Sequence, residues 1–389
     1  MAETILVTGG AGFIGSFLVD ALVERGFRVR VYDALVPQVH GPEQALPQYM
    51  NADAEFIQAD VRDREAMAKA LADADVVFHL AAAVGVGQSM YQIQHYTETN
   101  TLGGAVLLDL VANTKHHVRK MIVASSMSIY GEGQYECDGC GTVFPKLRSE
   151  AQLKAGDWEM RCPHCGRNVR PVPTSEDKPL FPTSIYAITK RDHEEMFLST
   201  GLAYGIPAVA LRFFNTYGPR QALSNPYTGV MAIFCSRLLN GLPPVIYEDG
   251  LQRRDFVHVS DIVQGLLLAM DRPEADYQVL NVGTGVATTI AQVAEMLSEP
   301  LTNGQVAPDV RHQYRAGDIR HCYADITRAR QLLGFEPRIR LQGGLEDLIA
   351  WVANQVAVDS FAQAEKELRA KRLVGQRPIH EDPSRGRGQ

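Results

Sequence analysis

A glycine-rich turn near the start of the chain constrains the fold more than any other stretch. The β-branched run from Thr4 to Thr8 leads into Gly-Gly-Ala-Gly-Phe-Ile-Gly at residues 9–15. A helical pattern with one apolar face follows to Arg25, and a second strand pattern ends at Asp33. This order of strand, glycine turn, helix and strand predicts the opening unit of a parallel, doubly wound sheet.

The same turn predicts a dinucleotide site. Free backbone N–H groups at a helix N-terminus bind a pyrophosphate, and the helix dipole favours its negative charge. Asp33 follows the glycines by about twenty residues, where a carboxylate accepts hydrogen bonds from the adenosine ribose. A carboxylate there repels a 2′-phosphate, so the pattern favours NAD over NADP. A purely structural turn without a ligand is the alternative.

Strand and helix patterns continue to alternate along the chain. We expect strands at 55–58, 75–80, 120–125 and 208–214, and a helix at 100–114. This alternation predicts an α/β fold with a doubly wound parallel Rossmann sheet, a smaller interleaved C-terminal substrate lobe and an insertion. We predict an NAD-binding domain of residues 1–131 and 173–217, an insertion of 132–172, a mainly substrate-binding lobe of 218–355 and a flexible tail of 371–389.

One stretch carries the residues of an acid–base site. Ser125 ends the fifth predicted strand and Ser126 follows it. Tyr186 and Lys190 stand at positions i and i+4 of a predicted helix, on one face. A lysine ammonium beside a phenol favours the phenolate and lowers the phenol's pKa. A phenolate near neutral pH is a usable general base, and a serine hydroxyl from the strand end can share the same substrate oxygen.

Two Cys-x-x-Cys pairs interrupt this stretch with the spacing C-x2-C-x21-C-x2-C. They are Cys137, Cys140, Cys162 and Cys165. A glycine follows each pair (Gly141 and Gly166), which suits the tight turn that directs two thiolates at one ion. Four thiolates make a closed tetrahedral site, so the pattern predicts a structural zinc ribbon. Four free thiols or a redox pair are the alternative.

Composition limits the function and the location. The chain has 389 residues and a net charge of -7, which argues against nucleic-acid binding driven by bulk electrostatics. No apolar run approaches membrane-spanning length. The first strand begins almost at once and leaves no room for a signal peptide, so we expect a cytoplasmic protein with no membrane partner.

These motifs together resemble the extended short-chain dehydrogenase/reductase family, in its nucleotide-sugar epimerase and dehydratase branch. The similar segments span residues 4 to about 350 in the family's order. They are Thr8–Ser16, Asp33, Asp60-Val61, His79–Ala83, Asn100, Ser125–Gly131, Tyr186–Lys190, Leu211–Arg220, Arg253–Ile262 and Arg315–Arg320.

The resemblance implies a role for individual residues. Ser126 would be the catalytic hydroxyl that also contacts substrate, because it lies four residues before Tyr130, and Tyr186 would be the base, with Lys190 beside it. The implied NAD-binding residues are Gly9, Gly12, Phe13, Ile14, Gly15, Asp33, Asp60, Val61, Ala81, Ala82, Asn100, Tyr186, Lys190 and Phe213. Asn215, Arg254 and Arg315 would bind the substrate diphosphate, and Asp318 or Arg320 the nucleotide end. Solvated surface charge is the alternative for each arginine.

One departure from the family narrows the reaction. The 4,6-dehydratases carry an Asp-Glu pair directly after the catalytic hydroxyl residue, where this chain has Met127 and Ser128. Neither side chain can remove water across C5 and C6, so the resemblance favours 4-epimerisation through a 4-keto sugar. NAD would stay tightly bound and be regenerated in each turnover. The chain is most similar to the branch of dTDP-L-rhamnose 4-epimerases, which make dTDP-6-deoxy-L-talose.

Other functions stay open at this point. A UDP-hexose 4-epimerase or a UDP-glucuronate-type epimerase or decarboxylase would use the same machinery. A protein of another class would keep an inert Rossmann scaffold and use the ribbon to bind RNA or protein. The resemblance implies a homodimer without a nucleic-acid partner. We hypothesise that the ribbon borders the sugar pocket as a lid or extends a subunit contact.

Overall fold

A seven-stranded parallel sheet forms the centre of the protein in a computed structural model that describes residues 2–376. In chain order its strands are Thr4–Thr8, Arg28–Asp33, Glu55–Gln58, Val76–His79, Lys120–Ser126, Ala208–Phe213 and Val279–Val282. In space the order is third, second, first, fourth, fifth, sixth and seventh, and every neighbouring pair is parallel. The order reverses between the first and fourth strands, where doubly wound sheets bind ligands.

Alternating side chains of the strands supply two separate cores. Ile5 and Val7 belong to the core on one face of the sheet, and Leu6 between them belongs to the core on the other face. Because successive side chains of a strand point to opposite faces, a strand buried on both sides reads as a continuous apolar run. The apolar run of the first strand therefore fits its central position.

Helices cover both faces of this sheet. Phe13–Glu24, Val259–Asp271 and Thr327–Leu333 contribute to the first core, whereas Arg64–Leu71, Gly103–Asn113 and Ile185–Tyr204 contribute to the second. The helix Ile185–Tyr204 begins after Ser184, whose side chain accepts a hydrogen bond from the Ala187 N–H at 3.1 Å. It ends at Gly205, which has a left-handed conformation (φ +68°) that suits glycine.

The smaller lobe has its own core between three helices, Val230–Leu239, Ile290–Thr302 and Leu341–Val352. Short strands outside the main sheet pair in separate sheets of two or three strands. They are Asn215–Tyr217, Val245–Ile246, Arg253–Arg254, Phe256–His258, Thr288–Thr289, Asp309–Val310, Gln313–Arg315 and His321–Cys322. Shorter helical segments are Pro37–His40, Val86–Ser89, Ile93–Tyr96, Thr97–Leu102, Met127–Tyr130 and Pro273–Ala275, and a final helix spans Phe361–Ala370. The sequence-based prediction of an α/β sheet with an interleaved lobe matches this architecture.

The insertion is a small antiparallel sheet with its own core. Gln134–Cys137 is its central strand, between Gly141–Val143 and Arg170–Val172. Its core consists of Tyr135, Cys137, Val143, Met160 and Cys162. A short helix, Glu150–Lys154, lies between the two cysteine pairs, where no helical period is evident in the sequence.

Two sequence predictions need correction. Residues 100–114 form a π-helical segment, Thr97–Leu102, followed by an α-helix, Gly103–Asn113. The tail predicted from residue 371 starts within ordered structure, because Val374–Gln376 pairs with Gln313–Arg315 as an antiparallel strand. The rest of the predicted tail, 377–389, lies outside the described residues. Within 2–376, none of the helices has the length and apolar character that crossing a bilayer requires.

A buried ion pair joins the helix Ile185–Tyr204 to the sheet. Arg212 of the sixth strand contacts Glu194 of the helix through Nε at 3.0 Å and Nη2 at 2.5 Å. Ser125 of the fifth strand donates to the same Glu194 carboxylate at 2.8 Å. Arg212 also donates to the Tyr130 hydroxyl at 2.8 Å. The network fixes the helix relative to the ends of two strands.

We expect Glu194→Gln to lower the free energy of unfolding by about 3 kcal/mol or more, since removing one partner of a buried pair leaves an uncompensated charge. Glu195 is the matched control, because it forms an exposed pair with Arg191 one helix turn away. We expect Glu195→Gln to change stability by less than about 0.5 kcal/mol. Urea denaturation of both variants measures the difference, and equal stabilities would contradict the assignment.

Candidate functional site

A cavity of about 880 Å³ lies at the carboxyl ends of the sheet strands, between the sheet and the smaller lobe. Most of the residues that the sequence singled out line it. They are Gly9, Gly12, Phe13, Ile14, Gly15, Asp33, Asp60, Val61, Ala81, Ala82, Ser126, Tyr186, Lys190, Phe213, Asn215, Arg254, Arg315 and Asp318. Asn100 and Arg320 do not line it.

The glycine turn is packed too closely for side chains. A Cβ on Gly15 would lie 2.2 Å from the Gly9 carbonyl oxygen, and a Cβ on Gly9 would lie 2.8 Å from the Ala81 nitrogen. Gly9 also has a left-handed conformation, with φ at +71°. Asp33 lies next to the turn, because its carboxylate accepts a hydrogen bond from the Ala11 N–H at 3.1 Å. The arrangement fits a dinucleotide, with the helix N-terminus for its pyrophosphate and the carboxylate for its ribose.

Asn100 supports the cavity wall from beneath. It is fully buried, and its side chain accepts from the Ala83 N–H at 2.7 Å and donates to the Ala83 carbonyl at 3.1 Å. It also donates to the Thr189 hydroxyl at 2.9 Å. The prediction of a direct cofactor contact is therefore corrected: Asn100 ties the loop after the fourth strand to the helix Ile185–Tyr204.

The structure separates the two adjacent serines by their hydrogen bonds. Ser125 donates to buried Glu194, as described above. The Ser126 oxygen accepts from the Ser128 hydroxyl at 2.9 Å and from the Ser128 N–H at 3.2 Å. With two donors on its oxygen, Ser126 can direct its own proton to Tyr186 or to a ligand.

Tyr186 and Lys190 lie one helix turn apart, as predicted, but their protonation differs from the prediction. Burial raises the pKa of the Tyr186 phenol to about 12, against the opposing effect of its hydrogen bond with Ser126. Burial also lowers the pKa of Lys190 to about 7, and its ammonium donates to the Ala124 carbonyl at 2.9 Å. Desolvation disfavours both charged forms, so in the protein alone the pKa of the phenol is raised, where the sequence analysis expected it to be lowered.

The arginines predicted to bind substrate differ in whether they reach the cavity. The Arg254 guanidinium donates to the carbonyls of Ile319 and Arg320, and Arg315 pairs with Asp318 at 2.9 Å. Both line the cavity. Arg320 is fully buried in ion pairs with Glu159, Glu248 and Asp249, away from the cavity wall. Its prediction as a nucleotide contact is therefore wrong, because three carboxylates already occupy its guanidinium.

Three buried amide oxygens in the cavity lining have no hydrogen-bond partner in the described part of the chain. They belong to Asn215, Gln221 and Gln252. A buried polar atom without a partner is costly, so these oxygens suit ligand donors. The sequence predicted only Asn215, since single glutamines outside a motif give no signal.

The final helix forms a wall of the cavity that the sequence analysis did not assign. Phe361, Ala364 and Leu368 line the cavity at helical spacing. Glu367 holds the helix in place by accepting from the hydroxyls of Tyr91 at 2.8 Å and Tyr227 at 2.9 Å. The helical spacing of these three apolar residues was the signal in the sequence that could have indicated this wall.

The chain matches the model of the NAD dependent epimerase/dehydratase family over residues 5–146 and 165–283. The chain belongs to this family. The predicted resemblance, the Rossmann fold and the assignment to NAD-dependent epimerases are thereby confirmed at the level of the family. Residues 147–164, which include Cys162 of the second cysteine pair, fall outside the match.

Relatives of the family are similar over nearly their whole length. A dTDP-L-rhamnose 4-epimerase of Burkholderia thailandensis is 34% identical over 91% of this chain and 96% of its own. The structure of a UDP-glucose 4-epimerase of Thermotoga maritima with UDP-glucose has a TM-score of 0.72 at 32% identity, covering 90% of this chain and 99% of that one. A UDP-glucuronic acid 4-epimerase of Bacillus cereus in complex with UDP-glucuronic acid and NAD has a TM-score of 0.73 at 27% identity, with the same coverage.

The four cysteines of the insertion converge as their spacing predicts. Their sulfur atoms all lie within 4.8 Å of one another, and Gly141 and Gly166 have left-handed conformations after each pair. Tetrahedral zinc with Zn–S bonds of about 2.3 Å requires sulfur atoms about 3.8 Å apart. The cluster therefore fits zinc with four thiolate ligands and no coordination position left for substrate.

We expect the purified protein to contain about one zinc ion per chain, and Cys162→Ser to abolish that content because three thiolates bind zinc much more weakly. His164→Ala is the matched control, since His164 lies between the last two cysteines but outside the cluster. Elemental analysis after exhaustive dialysis measures both. Zinc lost from the histidine variant, or kept by the serine variant, would contradict this ligand set.

Proposed function

We propose that this protein is an NAD-dependent nucleotide-sugar 4-epimerase that works through a 4-keto intermediate. The observation that carries the proposal is one cavity bordered by the glycine turn, Asp33, Ser126, Tyr186 and Lys190. Met127 and Ser128 also line it, at the positions where dehydratases carry an acid pair. A site without that acid pair suits a reaction that removes and restores the same proton and hydride.

Each catalytic residue has a distinct task in this proposal. Tyr186 takes the proton from the C4 hydroxyl and later returns it. The Ser126 hydroxyl holds the C4 oxygen, since its own oxygen already accepts from Ser128. Lys190 lies at the cofactor ribose, and its bond to the Ala124 carbonyl sets its position.

NAD is held by the glycine turn, Asp33 and the residues around Asp60 and Ala81 in this proposal. Its chemistry when bound is to accept the hydride from C4 and return it to the other face, and its positive ring favours the phenolate. Because the hydride would return to the sugar in each cycle, NAD would not have to leave the site between turnovers. The residues that enclose it, Phe13, Ile14 and Phe213, line the same cavity.

The substrate diphosphate lies against the smaller lobe in this proposal. Asn215, Arg254 and Arg315 supply an amide and two guanidinium groups, which suit phosphate oxygens. Asp318 binds the nucleotide end. The amide oxygens of Gln221 and Gln252 add acceptors for hydroxyl or N–H groups of the ligand.

We propose dTDP-L-rhamnose as the substrate and dTDP-6-deoxy-L-talose as the product. Similarity to the Burkholderia thailandensis enzyme supports this choice. The cavity lining also contains the aliphatic side chains of Val84 and Val86, which suit the methyl group of a 6-deoxy sugar. A UDP-hexose or UDP-glucuronate substrate is the second candidate, supported by the Thermotoga maritima and Bacillus cereus structures.

Zinc, subunits and location complete the proposal. Zinc is structural and holds the insertion together through its four cysteines.

A homodimer is supported by exposed apolar side chains of Leu102, Ile188 and Leu202 on or beside helices of the second sheet face. The cytoplasmic location and the absence of a nucleic-acid partner stay predictions from the sequence. An inert scaffold that reads RNA is disfavoured by the convergence of Ser126 and Tyr186 on one cavity.

We expect Ser126→Ala to lower turnover by about 10²-fold or more, because it removes a donor to the reacting oxygen. Ser125→Ala is the control, because it removes the hydrogen bond from Ser125 to Glu194. We expect it to lower stability while turnover stays within a few-fold of the wild-type rate. Steady-state rates and thermal melts separate the two effects. If Ser125→Ala were the inactive variant, the assignment of the catalytic serine would be wrong.

Proton NMR of the purified protein with dTDP-L-rhamnose, without added NAD, tests the whole proposal. New anomeric and H4 signals of the talo epimer are expected, since the cofactor is retained. Conversion of UDP-glucose, UDP-galactose or UDP-glucuronate instead would keep the mechanism and replace the substrate. No change with any nucleotide sugar, even with NAD supplied, would overturn the epimerase proposal.

A further inference from the structure

The segment between the two cysteine pairs folds back onto the smaller lobe. We call residues 148–160 the connecting segment. It begins with Arg148, forms the helix Glu150–Lys154 and ends two residues before Cys162. Four of its side chains contact the stretch 314–321, which carries the proposed substrate residues Arg315 and Asp318.

Arg148 makes the most deeply buried of these contacts. Its guanidinium forms two parallel hydrogen bonds of 2.8 Å to the carboxylate of Glu248, and both side chains are almost completely buried. It also donates to the Asp318 carbonyl at 3.2 Å and to the Trp158 carbonyl at 2.9 Å. One side chain of the insertion therefore holds the backbone of a proposed substrate residue.

Glu159 makes a second, independent contact. Its carboxylate contacts Arg320 at 2.6 Å and His321 at 3.2 Å. Hydrogen bonding to His321 and then to Arg320 lowers the pKa of Glu159 to about 2, so the carboxylate stays charged at neutral pH. Arg320 in turn bonds to Glu248, the partner of Arg148.

An apolar cluster adds a third contact. Leu153 and Trp158 of the connecting segment pack with Tyr314, and all three are buried. Tyr314 directly precedes Arg315, whose guanidinium lies 4.8 Å from the centre of the Tyr247 ring. The start and the end of the stretch 314–321 are therefore both attached to the insertion.

The attached stretch forms one wall of the cavity. Residues 315–319 line it, and Thr183, two residues before the helix that carries Tyr186, donates to the Gly317 carbonyl at 3.2 Å. Arg254 donates to the Ile319 and Arg320 carbonyls. A shift of this stretch would therefore move Arg315, Asp318 and Arg254 together, whereas Tyr186 and Ser126 are held by the sheet network.

We propose that Arg148 and Glu159 are positioning residues for the nucleotide-diphosphate wall of the cavity, and that zinc binding by the four cysteines sets substrate affinity through them. The inference rests on the proposed nucleotide-sugar function. The connecting segment runs between the two cysteine pairs, since Arg148 lies eight residues after Cys140 and Glu159 lies three residues before Cys162. We call the insertion a strut because, when zinc is bound, it holds this wall of the cavity in position. It affects the affinity for substrate and contributes no group to the chemistry.

The test compares Arg148→Met with Arg161→Met in the zinc- and NAD-loaded protein. Arg161 is the matched control, since it belongs to the same insertion and pairs only with exposed Asp157 among the described residues. Titration calorimetry with dTDP and with UDP gives the affinity, and steady-state kinetics give KM and kcat. For Arg148→Met we expect dissociation constant and KM to rise about tenfold with kcat and NAD content unchanged. Arg161→Met should behave as the wild type.

A second variant covers the case in which Arg148→Met does not fold. Glu159→Gln removes a charge from a half-exposed side chain and is expected to raise KM several-fold in the same way. Arg148→Lys, which keeps the charge but not the two parallel hydrogen bonds, should recover part of the affinity. Removal of zinc should raise the wild-type KM, and should raise that of Glu159→Gln by a smaller factor, because the variant has already lost one of the two contacts through which zinc acts.

The outcomes separate the two proposals. If KM and the dissociation constant were unchanged in both variants, the proposed positioning role would be wrong. It would also be wrong if kcat fell by the same factor as KM rose. A wild-type protein that binds neither dTDP nor UDP and converts no nucleotide sugar would overturn the proposed function itself. Turnover by the wild type, with a rise in KM of about tenfold in Arg148→Met and several-fold in Glu159→Gln but none in Arg161→Met, supports both proposals.

Discussion

The buried ion pair between Arg212 and Glu194 is the interaction on which the geometry of the site depends. It joins the sixth strand to the helix Ile185–Tyr204, and Ser125 adds the fifth strand to the same carboxylate. Ser126 directly follows Ser125 on the strand, and Tyr186 lies on the same helix as Glu194, so buried charges as well as apolar contacts set the separation of Ser126 and Tyr186. Charge pairing of this kind fixes orientation, because it loses most of its energy when the partners are displaced.

The sequence predicted those parts of the fold that are encoded locally. The first strand, glycine turn, helix and Asp33 follow one another within thirty-three residues, and their chemistry is specific enough to predict the binding of a dinucleotide. The cysteine spacing likewise predicted the convergence of four sulfur atoms. Tyr186 and Lys190 lie on one helix face for the same reason. In each case the residues that meet in space are separated by no more than about thirty positions along the chain.

The features that the sequence did not predict depend on long-range packing. The motif around Arg320 is typical of a residue that binds the substrate nucleotide. The carboxylates that pair with Arg320 in the interior, Glu159 and Glu248, are distant from it in the sequence. The pKa values of Tyr186 and Lys190 depend on desolvation by surrounding elements, which a helical spacing does not reveal. The wall formed by the final helix depends on Tyr91 and Tyr227, which reach Glu367 from opposite parts of the chain.

The way in which the insertion is attached has a consequence for how it can act. An apolar interface would tolerate sliding, but Arg148 and Arg320 are held by Glu159, Glu248 and Asp249 in fixed directions. Burial raises the pKa of Glu248, which shows that its charge is costly there and depends on its arginine partners. If the insertion loosened, the wall would lose these partners and could not keep its orientation. A diphosphate needs its guanidinium groups at set positions, so a charged strut suits this wall better than an apolar one.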